Sequence, residues 1–195
     1  MKFSQKEIKD FLGAWLLISL AFAVLFTGSA NLSPSIFITS FIISLLTAGI
    51  GFLFHELMHK YLAQKYHLWA EFRASYPMLW LAVIFSFFGF IIAAPGGVLI
   101  QGNLTREKNG KISLAGPTTN LIIAILFLIP LLTISSEGIL NLFLVYGFKI
   151  NSLLALFNLI PFLPFDGYKV LAWNKTVYCT SAFFSLLLFI ISFFV

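Results

Sequence analysis

Three runs, residues 11–26, 36–55 and 112–133, and a fourth at residues 177–195 are almost uninterrupted apolar sequence. Each approaches the roughly 20 residues with which a helix crosses a hydrocarbon layer about 30 Å thick. A water-soluble domain has no interior large enough for so many such runs, and the composition agrees: 60% of residues are hydrophobic and 10% charged, with a mean hydropathy of +1.00. In lipid, backbone polar groups must be satisfied within the chain, which favours helices. The expected fold is an all-α polytopic membrane protein of about five to six transmembrane helices, with a shorter apolar run at residues 150–161 as one of them.

The positions of the charges orient these spans. Basic residues cluster at Lys2, Lys6 and Lys9, at Lys60, Lys65 and Arg73, at Arg106, Lys108 and Lys111, and at Lys169 and Lys175. The connections at residues 28–35 and 135–138 carry neither Lys nor Arg. The bias of basic residues toward the cytoplasm then predicts five full spans with the N-terminus inside. The same distribution accounts for the net charge of +5 without nucleic acid as a partner. The first apolar run lacks a small-residue cleavage site and is read as a retained anchor. Residues 78–100 are apolar but flanked by basic residues on both sides, so they are expected to enter the membrane and return. Gly89, the sequence AAPGG at residues 93–97 and the strand-like composition LAVIFSFFGFII point to a re-entrant segment of β-hairpin type around residues 70–105. The rival arrangement is a sixth helix over residues 78–94. The whole chain, 1–195, reads as a single membrane-embedded domain with its core at 36–173, in a multi-pass protein of the cell membrane.

Against this background the stretch GFLFHELMHKYLAQ, residues 51–64, is anomalous. Ionisable groups at membrane depth are costly, by at least about 2.5–3.5 kcal/mol for a charged side chain, and usually functional. His55 and His59 lie one helical turn apart on one face, the spacing with which H-E-x-x-H directs two imidazoles at one cation. Glu56 stands beside the first ligand, where it can take a proton from a metal-activated water. Thr47 and Gly51 continue the small or polar stripe at spacings of four. Cys179 is the single cysteine, so a metal site here must be built from His, Asp or Glu. His67 reads as an interfacial residue.

A third ligand is sought among the distant acids, and Asp166 stands out, within NLIPFLPFDGYKV at residues 158–170. Pro161 and Pro164 must break a helix there, and Gly167 permits a tight approach just after the acid. Counting residues from Ile36 to His55 and from Lys149 to Asp166 puts both at a similar depth. Asn151 and Asn158, seven apart, form a polar stripe that should face the bundle interior. For Asn151 interhelical bonding and substrate contact are both open. The face of Gly116, Asn120 and Ala124 reads as helix packing.

These residues resemble the site-2 protease family of intramembrane zinc metalloproteases, in its compact archaeal and bacterial form without PDZ or CBS modules. The likeness rests on HELMH at residues 55–59, on NLIPFLPFDG at residues 158–167, similar to N-x-x-P-x-x-P-x-D-G, and on AGPTTN at residues 115–120. Phe165 departs from the usual Leu or Met, and the apolar sequence before APGGVLI is longer than in the simplest members. The resemblance implies one zinc ion held by His55, His59 and Asp166, Glu56 as the base, and Asn158 at the substrate or the developing oxyanion. The expected activity is peptide hydrolysis of a transmembrane protein substrate within the lipid bilayer, near its cytoplasmic side. A strand around residues 96–100, with Gly96, Gly97 and Val98, is expected to bind substrate by strand addition. Two rivals use the same residues differently: a protease of membrane-surface proteins, usually with a glutamate as third ligand, and a zinc transporter or sensor.

Overall fold

The computed structural model describes residues 1–28, 33–91 and 95–195. Ala93 and Ala94 of the AAPGG interruption, the end of the alternative helix 78–94, and residues 29–32 of the first connection lie outside the described residues. Among the described residues the chain forms α1 (Gln5–Thr27), α2 (Pro34–Lys65), β1 (Trp69–Ala74), α3 (Tyr76–Ser86), β2 (Gly96–Gln101), α4 (Arg106–Thr133), α5 (Gly138–Asn158), α6 (Asp166–Trp173) and α7 (Lys175–Ile191). α1, α2, α4 and α5 are long and apolar enough to cross a membrane, and the shorter α3 and α7 are also apolar. The protein is an all-α polytopic membrane protein with one small sheet.

Two sequence expectations are revised in detail. The run placed at residues 150–161 is the end of a longer helix, α5, because GILNLFLVYGF before Lys149 is itself apolar and continues the same helix. Lys149 lies inside that helix, half-buried, rather than at its outer end. Between the strands, Leu81 to Ser86 are helical despite their β-favouring composition. Strand propensity reflects packing on a pleated surface more than an intrinsic backbone preference. α3, 11 residues long, extends only about 17 Å, too short for a sixth crossing. The segment does return on itself: the Ser75 N–H donates to the Pro95 carbonyl at 2.9 Å.

The chain divides into two compact units, residues 1–53 with 71–99, and residues 54–70 with 100–195. In the first, Phe72 of β1 is fully buried, stacked on Phe11 at 4.3 Å between ring centroids and edge-on to Phe52 at 5.9 Å. α2 contains one π turn, Leu45–Gly49, whose wider ladder leaves the Leu45 carbonyl to accept from the Trp15 indole N–H at 3.0 Å. In the second unit α4 and α5 approach closely where Gly147 meets the Phe127 ring, with no room for a Cβ.

The outer edge of β1 is closed by side chains. The Ser75–Pro95 bond and the contact of Leu68 with Gly102 set an antiparallel register in which Phe72 points its N–H away from β2. That N–H donates to Glu7 Oε1 at 2.9 Å. The Phe72 carbonyl accepts from Arg73 Nη1 at 3.3 Å. Further along the same edge the Ala70 carbonyl accepts from Lys60 Nζ at 3.1 Å and Gln64 Nε2 at 3.4 Å. Side chains therefore occupy the outer edge of β1, the usual defence against unwanted strand pairing. The same register turns the N–H and C=O of Gly96, Val98 and Ile100 outward from β2. Replacing Glu7 by Ala leaves the Phe72 N–H without this partner. We expect Glu7→Ala to lower stability by about 1–3 kcal/mol and Glu7→Gln, which keeps an acceptor, by clearly less, as read from thermal unfolding of the detergent-solubilised protein.

Candidate metal centre

The second half of α2 carries His55 and His59 on one face, with ring centroids 4.6 Å apart and ring planes at 85°. Both are buried, at 4% and 7% exposure, and Thr47 on the same stripe is completely buried. α5 ends at Asn158 and α6 begins at Asp166. The break expected from Pro161 and Pro164 is therefore present. A Cβ at Gly167 would overlap the Leu159 carbonyl group, so glycine is what lets the start of α6 fold back against the end of α5.

This fold-back brings the acid to the histidines. Asp166 Oδ2 lies 3.4 Å from His55 Nε2 and 3.0 Å from His59 Nε2. The three ligand atoms all lie within 4.8 Å of one another, and among the described residues this is the one such cluster of three or more metal-ligating side chains. Ligands about 2.0–2.1 Å from a tetrahedral zinc ion stand roughly 3.3 Å apart, close to both His–Asp separations. The other carboxylate oxygen of Asp166 is 3.5 Å from Lys169 Nζ.

The donor set fits a metal in its surroundings as well as in its chemistry. His59 Nδ1 is 2.8 Å from the Ile112 carbonyl oxygen, an atom that can only accept, so Nδ1 carries a proton and Nε2 is the nitrogen available to a metal. His55 Nδ1 is 2.6 Å from Asn120 Oδ1. Partners of this kind orient metal-binding imidazoles and fix their tautomers. A Cβ at Gly116 would collide with Nε2 of both histidines, so the α4 backbone closes one side of the cluster. Beside His55, Glu56 is 8% exposed, and its Oε2 is buried with no hydrogen-bond partner among the described residues. An unpartnered carboxylate oxygen is costly to bury, and it suits a group whose partner is a reactant.

His55, His59 and Asp166 are thus brought together, with Glu56 on the same turn of α2. Asn158 stands at the end of α5, and its Nδ2 donates to the Leu154 carbonyl of its own helix at 2.9 Å. Gly96, Gly97 and Val98 open β2 in the first unit. His67 sits in the turn after α2 with φ of 60°, outside the cluster. Gly116 and Asn120, read from sequence as a packing face, belong to the surroundings of the ligands instead. Their spacing of four, equal to that of His55 and His59, was the available signal. The Ile112 carbonyl had none, because every residue offers one.

No family model matches the sequence, and no solved structure matches it. A protein of Methanocaldococcus jannaschii, MJ0611, named provisionally as a zinc metalloprotease, is 45% identical over 179 residues, covering 91% of this chain and 89% of its own length. The chain belongs to this family of zinc metalloproteases. A second protein of the same organism, the zinc metalloprotease MJ0392, is 29% identical over 154 residues; the match covers 78% of this metalloprotease and 39% of that relative. For this metalloprotease the His55, His59 and Asp166 cluster is a site that could hold the metal. Gly116→Ala puts a methyl group against both ligand nitrogens. We expect the purified variant to retain less than a tenth of the wild-type zinc content after dialysis, by atomic emission, with helical content unchanged by circular dichroism.

Proposed function

We propose that this metalloprotease is of the site-2 type and hydrolyses peptide bonds of transmembrane protein substrates within the bilayer, near its cytoplasmic side. One observation carries the reading: the metal-ligating cluster is buried and begins on α2, a helix long and apolar enough to cross the membrane. His55 comes about 30 Å along that helix from Pro34, close to its basic end at Lys60 and Lys65. With the basic clusters facing the cytoplasm, the N-terminus is cytoplasmic, the protein resides in the cell membrane and water reaches the cluster from the inner side.

His55, His59 and Asp166 would hold one zinc ion, which when bound would supply Lewis acidity toward the scissile carbonyl and lower the pKa of water toward about 7. Glu56 accepts the proton of the attacking water at its carboxylate as the new C–O bond forms. It then delivers that proton to the leaving amide nitrogen as the C–N bond breaks, so one water is consumed per peptide bond. Asn158 turns its amide from the Leu154 carbonyl toward the developing oxyanion. A helical segment keeps its carbonyls in its own ladder and must unwind before it can be cut.

The unwound segment adds to the outward edge of β2 at Gly96, Gly97 and Val98. The occupied outer edge of β1 supports this choice, since side chains already take the backbone groups of that edge. The two glycines differ in role. Gly96, at φ of 145°, lacks space for a side chain against β1, whereas a Cβ at Gly97 would meet nothing within 4 Å.

Glu56→Gln tests the chemistry. Cleavage of single-span substrates should fall about 10²–10⁴-fold while zinc content stays at the wild-type level. Retained cleavage would overturn the role of Glu56, and loss of cleavage only in parallel with zinc would leave it structural. A transporter working through the same cluster would instead move zinc equally well in both proteins. Val98→Pro removes one outward N–H and spares the ladder with β1. It should lower kcat/KM for membrane substrates about 3- to 10-fold without loss of zinc, and unchanged kcat/KM would exclude strand addition at Val98.

A further inference from the structure

His55 and His59 solve the same problem in different ways. Each must keep the lone pair on Nε2, so each must carry its ring proton on Nδ1. For His59 the Ile112 carbonyl enforces this directly. For His55 the partner is a side-chain amide, which can present either its oxygen or its NH₂ group. If Asn120 turned over, its NH₂ would face Nδ1 and favour the tautomer with the proton on Nε2, the atom needed for the metal.

The amide is held the right way by a chain of bonds that ends on a group without that ambiguity. Asn120 Nδ2 donates to Asn151 Oδ1 at 3.0 Å, and Asn151 Nδ2 donates to the Gly147 carbonyl of α5 at 2.9 Å. The Gly147 oxygen can only accept, so Asn151 must turn its NH₂ toward it and its oxygen toward Asn120. Asn120 must then answer with its own NH₂, which leaves its oxygen for the His55 Nδ1–H. Both asparagines are completely buried. An amide turned the wrong way would set two donors or two acceptors face to face, with the desolvation cost of both. We propose that Asn151 is a positioning residue, which fixes the tautomer of His55 through Asn120 and so makes its Nε2 available as a ligand. This proposal rests on the reading of His55 as a metal ligand, and it is read out by metal affinity rather than by cleavage.

The test uses the full-length protein in detergent micelles, stripped of metal and titrated with Co²⁺. Asn151→Leu, close in volume, should weaken Co²⁺ binding, followed by its visible absorption, about 10- to 100-fold. The double variant Asn120→Asp with Asn151→Leu should restore it, because a carboxylate presents an acceptor whichever way it turns. A residue that only packed α4 against α5 would not be rescued in this way. Thus Asn151→Leu with unchanged Co²⁺ affinity, or a folded double variant without recovery, would refute the proposal. Failure to cleave any peptide, with this pattern of Co²⁺ affinities intact, would refute the protease reading alone.

Discussion

A buried polar group in a membrane-spanning chain is costly unless it finds a partner inside the chain, because hydrocarbon offers none. The surroundings of the metal-ligating cluster are arranged by that constraint. His55 Nδ1 is hydrogen-bonded to Asn120 Oδ1, Asn120 donates to Asn151, and Asn151 donates to the Gly147 carbonyl. His59 reaches a carbonyl in one step, at Ile112. Both imidazoles place Nε2 within 3.4 Å of Asp166 Oδ2, separations that suit ligands of one metal ion. The Gly116 backbone closes the same space from α4. Glu56 Oε2, like Ser44 Oγ, is buried without a partner among the described residues; standing beside the two histidines, it is the proton acceptor of the proposed reaction.

The same constraint acts on the sheet. A two-stranded ribbon has two outer edges, and each presents backbone donors and acceptors. Glu7 and Arg73 meet those of Phe72, and Lys60 with Gln64 meet that of Ala70. Lys60 is itself only 1% exposed, so its ammonium group is spent on that carbonyl and its other partners rather than on solvent. The edge of β1 is thus closed by residues far apart in sequence, Glu7 among them, which in the proposed function is the reason substrate adds to β2.

Reading the residues in order went a long way because lipid leaves few alternatives. Long apolar runs could only be helices, paired histidines one turn apart could only share a face, and two prolines before an acid had to end a helix. Where the reading slipped, a local signal was outweighed. The aromatic run after Leu81 has strand composition, yet it begins as helix. Lys149 looked like the mark of a helix end, yet an apolar stretch before it continues the turn. Asn120 looked like a packing residue, since nothing nearby in sequence reveals that His55 will lie against it.

The sequence by itself determined the solvent, the number of long apolar helices to within one, the H-E-x-x-H face and the acid after the broken helix, because each follows from periodicity, proline geometry or the cost of charge in lipid. Only the tertiary structure decided which atoms meet: that Asp166 Oδ2 reaches both imidazoles, that Gly116 must lack a side chain, and that the bonds from Asn120 run through Asn151 to the Gly147 carbonyl. Such facts depend on backbone carbonyls and on the approach of helices remote in sequence. Every residue has a carbonyl, and none announces in advance which proton it will receive.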